Sequence, residues 1–147
     1  MDIREGKIEE VIARDGMYVC TTSGLSMMPM LRDRRDTVVI TPVSGRLNKY
    51  DVALYRYGNK YLLHRVVKVL PDSYICCGDN CITPEIGVTD ADVIGILSEV
   101  WRGDKKLDLN SRRYKMYYKL RVATFGLRRF VRRTGGKILS VFRKKRT

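Results

Sequence analysis

Over the first hundred residues the apolar positions fall into short runs separated by turn residues. Ile3, Ile8, Val11 and Ile12 stand among charges at roughly helical spacing and Asp15-Gly16 follows, which predicts a helix over residues 3–13. From Met17 the pattern becomes Met-Tyr-Val-Cys-Thr-Thr, rich in strand formers and broken by Ser23-Gly24. Further strands are expected at 37–41, 51–56, 61–70, 74–77 and 93–101. Gly58-Asn59 reads as a hairpin turn, and Pro71-Asp72-Ser73 and Gly78-Asp79-Asn80 as the next two turns. Short strands with turn signals this frequent predict a mainly β (α+β) chain with an antiparallel, partly closed sheet. No internal repeat is visible.

From about Ser111 the period changes. Tyr114, Tyr117 and Tyr118 share one helical face, and Leu127, Phe130, Val131 and Thr134 recur at helical spacing. Gly135-Gly136 is expected to interrupt, leaving Ile138, Leu139 and Phe142 as a last short stripe. The organisation predicted is therefore a body over 1–110 and a basic, amphipathic helical tail over 111–147.

Charge sharpens that division. The 147 residues carry 29 Lys and Arg against 16 Asp and Glu, a net charge of +13. Residues 1–111 hold 15 basic and 16 acidic side chains, whereas residues 112–147 hold 14 basic and no acidic ones. A near-neutral body with a cationic end points to an anionic partner for that end. An apolar content of 44% excludes wholesale disorder. No stretch reaches the ~18 consecutive apolar residues of a membrane span. The start, Met1-Asp2-Ile3-Arg4-Glu5, has acids where a secretory signal is basic. A cytoplasmic location without signal peptide or span is the expectation, with Cys20, Cys76, Cys77 and Cys81 as free thiols.

Ser26 follows a glycine-containing turn, and the single histidine, His64, falls on a predicted strand. A serine hydroxyl becomes a useful nucleophile only when a neighbouring base takes its proton. A carboxylate to orient that base is available from Asp79. The parts fit serine acyl transfer. The bland alternatives are a turn serine, a structural strand histidine and an aspartate capping its own turn. Arg65 is expected in a structural ion pair. Cys76, Cys77 and Cys81 lack the paired knuckles of a zinc site, so no metal and no cofactor are expected.

These residues also carry a resemblance. Ser23-Gly24-Leu25-Ser26-Met27-Met28-Pro29-Met30-Leu31 resembles the nucleophile box of type I signal peptidases, Ser-Met-x-Pro-x-Leu. Lys49-Tyr50-Asp51-Val52-Ala53-Leu54-Tyr55 is similar to that family's Gly-Asp-Val-Val strand, with Tyr50 in place of glycine. Leu63-His64-Arg65-Val66-Val67 is similar to its general-base box, Gly78-Asp79-Asn80 to its Gly-Asp-Asn box, and Val93-Ile94-Gly95-Ile96-Leu97 to its closing strand. The boxes stand in family order across roughly residues 20–101.

The resemblance implies the signal peptidase/LexA-type β fold with a short N-terminal helix, and endopeptidase chemistry. Histidine in the base box resembles the SipW and endoplasmic-reticulum subtype, which implies a Ser26–His64 dyad. Asp79 is then the favoured third member and Glu85 the second candidate. The Ser26 N–H is the expected oxyanion donor. The position two residues earlier, a hydroxyl in many relatives, is Gly24, with Ser23 beside it, and Met27 is expected at the pocket. A peptide or leader-like substrate would lie extended against a strand edge near Ser23–Ser26. Small residues on the acyl side of the bond are implied. Two further expectations for the basic end are peripheral attachment to an anionic inner membrane face and, less favoured, nucleic-acid binding. A solvated or disordered basic end with some docking onto the body is the bland reading. The competing function is a non-catalytic peptide-, membrane- or nucleic-acid-binding module on a peptidase-like fold.

Overall fold

The computed structural model describes the backbone of residues 7–144 and the side chains of residues 8–135. The described residues form α1 (Lys7–Asp15), β1 (Tyr18–Thr21), β2 (Asp36–Thr41), β3 (Val52–Tyr57), β4 (Lys60–Val69), β5 (Tyr74–Cys77), β6 (Glu85–Val88), β7 (Val93–Arg102), β8 (Lys105–Lys106), α2 (Arg112–Ala123) and α3 (Phe125–Lys144). The strands join in one curled antiparallel sheet in the order β1-β2-β7-β3-β4-β5-β6, with β8 pairing β7. The mainly β architecture, the N-terminal helix and the C-terminal helices are those expected from the apolar pattern.

Strand alternation divides the interior into two cores. On β3, Val52 and Leu54 join one cluster while Ala53 and Tyr55 join the other. The first cluster is closed by Ile8 and Ile12 of α1 and by Met27, Met30 and Leu31 of the turn after β1. The second packs Leu47, Val66, Tyr74, Cys76 and Val88 around Tyr55. Helix α1 ends where Gly16, at φ +72°, donates its N–H to the Ile12 carbonyl. Ile3 lies outside the described residues, and the helix that is described begins at Lys7.

Three sequence expectations change. Helix α3 runs through Gly135-Gly136 without a break. Two glycines lower helix propensity by about 1 kcal/mol each but remove no backbone donor, so a long helix absorbs them. The side chains of Ile138, Leu139 and Phe142 lie outside the described residues. Strands β6 and β8 carried no strand signal: β6 contains Gly87 at φ +83° and β8 is two lysines. Helix α2, inside the expected tail, belongs to the packing of the body, because Tyr114 and Tyr117 pack on the first core.

Candidate active site

Ser26 is presented by a turn that is anchored at both ends. Gly24, at φ +101°, donates its N–H to Asp33 Oδ1 at 2.7 Å. The Leu31 N–H reaches the Met27 carbonyl at 3.0 Å. Met27, Met30 and Leu31 are buried, which pins the turn to the core and leaves Ser26 half-buried. The loop after β5 holds it from the other side. Asn80 donates its backbone N–H to the Ser26 carbonyl at 2.7 Å and its side-chain amide to the Leu25 carbonyl at 3.1 Å.

His64 is buried on β4. Its Nδ1 lies 3.0 Å from Glu85 Oε2, at the start of β6. The Tyr55 hydroxyl donates to the same Glu85 oxygen at 2.9 Å. Burial, then the neighbouring Cys76 and Glu85, push the Tyr55 hydroxyl far above its ordinary pKa, so it remains a donor. With Nδ1 facing a carboxylate, the proton belongs on Nδ1 and the lone pair on Nε2. His64 and Ser26 line the same pocket. A Cβ placed on Gly78 would stand 3.1 Å from His64 Nε2 and 2.6 Å from the Ser26 carbonyl oxygen. The Ser26 carbonyl, the Cys81 thiol at 2.8 Å and His64 Nε2 therefore all crowd Gly78, which leaves no room for a side chain there.

The structure reverses the order of preference between the two acids. Asp79 does not face His64. It receives Arg65 Nε and Nη2, each at 2.8 Å, in a bidentate pair with both side chains buried. The Tyr117 hydroxyl adds a third bond to Asp79 Oδ2 at 2.8 Å. Burial alone would weaken the Arg65 charge, but Asp79 and Tyr114 more than offset it and raise its pKa. Asp79 is thus committed to a structural pair, and the carboxylate at the imidazole is that of Glu85.

A pocket of about 130 Å³ opens beside this constellation. Ser23, Gly24, Ser26, Met27 and His64 line it together with Leu31, Val38, Ile40, Leu54 and Leu63. Two unpaired strand edges flank it. Among the described residues, strand β1 pairs β2 alone, and β4 meets β5 only from Arg65 onward, leaving Lys60–His64 free on that side. Tyr18 and Cys20 of β1, Thr22 after it, and Tyr61 and Leu62 of β4 complete the lining.

Helix α3 reaches the same loop. Arg128 Nη1 donates to the Asp79 carbonyl at 3.1 Å, and Arg132 to the Asn80 carbonyl at 2.7 Å and its Oδ1 at 3.0 Å. Neither arginine carried a sequence signal for the site, and Tyr55 stood at the end of the Lys49–Tyr55 box without an assigned role. Gly78 and Asn80 lay inside the Gly-Asp-Asn box without an assigned role. Burial raises the Cys76 and Cys77 thiols to about 12, so both stay protonated. Among the described residues, no three of His, Cys, Asp and Glu gather as a metal ion requires. No protein-family model matches the chain, and no curated protein sequence matches it.

Proposed function

We propose that the protein is a serine endopeptidase in which Ser26, His64 and Glu85 act as nucleophile, general base and orienting acid. The single observation that carries this is the contact from Glu85 Oε2 to His64 Nδ1, which leaves Nε2 free beside Gly78 in the pocket that Ser26 also lines. On this reading Ser26 Oγ attacks the scissile carbonyl carbon and its proton passes to His64 Nε2. Glu85 holds the resulting imidazolium. The oxyanion is met by the Ser26 N–H, which has no acceptor among the described residues. Collapse breaks the C–N bond, and His64 returns the proton to the leaving amine. Water, activated by the same imidazole, then hydrolyses the acyl-serine.

The substrate is read as an extended peptide lying between β1 and the first half of β4, hydrogen-bonded to both free edges. The pocket takes an apolar side chain on the acyl side of the bond. Its volume approaches the ~150 Å³ of a cavity that binds benzene, enough for a branched aliphatic chain as well as a small one. The ordered boxes and their resemblance to type I signal peptidases support the same chemistry.

The test is cleavage of a diverse mixture of unlabelled peptides, read by mass spectrometry. The parent protein is expected to cut at bonds preceded by a small or branched apolar residue. Ser26→Ala and His64→Ala are expected to cut none of them. Full cleavage by Ser26→Ala overturns the assignment. Absence of cleavage by the parent favours the peptide-binding module.

A further inference from the structure

The outer faces of α2 and α3 remain unaccounted for by the peptidase reading. Their inner faces are occupied: Tyr114 and Tyr117 pack on the first core, and Arg128 and Arg132 hold the Asp79–Asn80 carbonyls. Their outer faces leave five large apolar side chains in solvent. Met116 and Leu120 on α2 are 68% and 62% exposed, and Leu127, Phe130 and Val131 on α3 are 64%, 65% and 55% exposed. In one shallow groove on α2, Arg112, Lys115 and Lys119 flank Met116, Leu120 and Ala123. Across residues 112–135 there are nine basic and no acidic side chains.

We infer that this pair of helices is a docking surface for an anionic lipid bilayer. The inference does not depend on the peptidase chemistry. Two properties must be satisfied together by the occupant: negative charge over a wide area and an apolar phase that accepts aliphatic and aromatic side chains. A bilayer containing acidic lipid provides both, with cations at the headgroups and Leu127, Phe130 and Val131 below them. A second copy meeting this face with its own provides apolar contact but no negative charge, because one acid-free face would stand against another. Nucleic acid would satisfy the cations and leave the apolar stripe in water. The described helices contain no segment able to cross the bilayer, so the helices lie along the surface. Because α3 also grips the loop that holds Ser26, docking would set the pocket at a fixed distance from the lipid.

The test uses the full chain in a sedimentation assay. One set of vesicles is phosphatidylcholine alone and the other is phosphatidylcholine mixed with phosphatidylglycerol. Binding to the mixed vesicles is expected to exceed binding to neutral ones by about tenfold or more, and to fall as salt rises. Two variants separate the contributions. Leu127→Ser/Phe130→Ser removes apolar surface at constant charge, and Lys115→Gln/Lys119→Gln/Arg133→Gln removes charge at exposed positions. Each is expected to lose about tenfold or more of the binding to mixed vesicles, with the melting temperature held as a control on folding. Equal binding to both kinds of vesicle, or none to the mixed ones, overturns the inference. So does a Leu127→Ser/Phe130→Ser protein that binds mixed vesicles like the parent while duplex DNA displaces it, which would assign the face to nucleic acid.

Discussion

Adjacent residues on β4 face opposite sides of the sheet, and this decides which carboxylate serves which base. Arg65 turns toward the first core, beside Met30 and Tyr114, and takes Asp79. His64 turns toward Tyr55 of the second core and takes Glu85. The two acids should therefore fail in different ways. Glu85→Gln is expected to leave stability nearly unchanged and to lower peptide cleavage by about 10³–10⁴-fold, as loss of an orienting carboxylate does in other serine hydrolases. Asp79→Ala strands a buried arginine and is expected to cost about 3–5 kcal/mol in denaturant unfolding. An Asp79→Ala protein of parental stability would contradict the pairing. Both acids were visible in the sequence, as were Ser26 and His64. Their pairing was not, because it depends on the β4–β5–β6 register, including the shift between Val66 and Lys68, which no local motif encodes.

Among the elements, those with a strong internal period were legible and those defined by their neighbours were not. Strand β2 lies within one residue of its expected bounds, and β5 matches them, because consecutive β-branched and apolar residues leave few alternatives. Strand β6 is a strand only because β5 offers it an edge. Helix α2 looked like part of a cationic tail because its charge dominates its composition, yet its tyrosines serve the body. Tyr114 and Tyr117 hydrogen-bond to Arg65 and Asp79, and Tyr118 stacks on Tyr50 at 4.9 Å. Ending the chain at Ser111 is therefore expected to lower the melting temperature by at least about 5 °C, given roughly 2 kcal/mol for the lost aromatic and charge-assisted contacts. Ending it after Thr124 keeps those contacts and is expected to cost much less. Equal melting temperatures for the two truncations, measured by thermal unfolding, would return α2 to the tail.

At the scale of the molecule, the pocket, the two free strand edges and the Ser26 turn open together, while the basic helices hold the loop behind Ser26. Among the described residues, α3 is tied to the Asp79–Asn80 loop by three hydrogen bonds from Arg128 and Arg132, beyond the tyrosine contacts of α2. The central claim is that this geometry activates one serine. Its most direct measurement is the intact mass after exposure to a fluorophosphonate, which forms a P–O bond to an activated serine and releases fluoride. The account predicts a single adduct on the parent chain, none on Ser26→Ala or His64→Ala, and slow labelling of Glu85→Gln. A parent chain that takes no adduct, or an adduct that persists in Ser26→Ala, would contradict it.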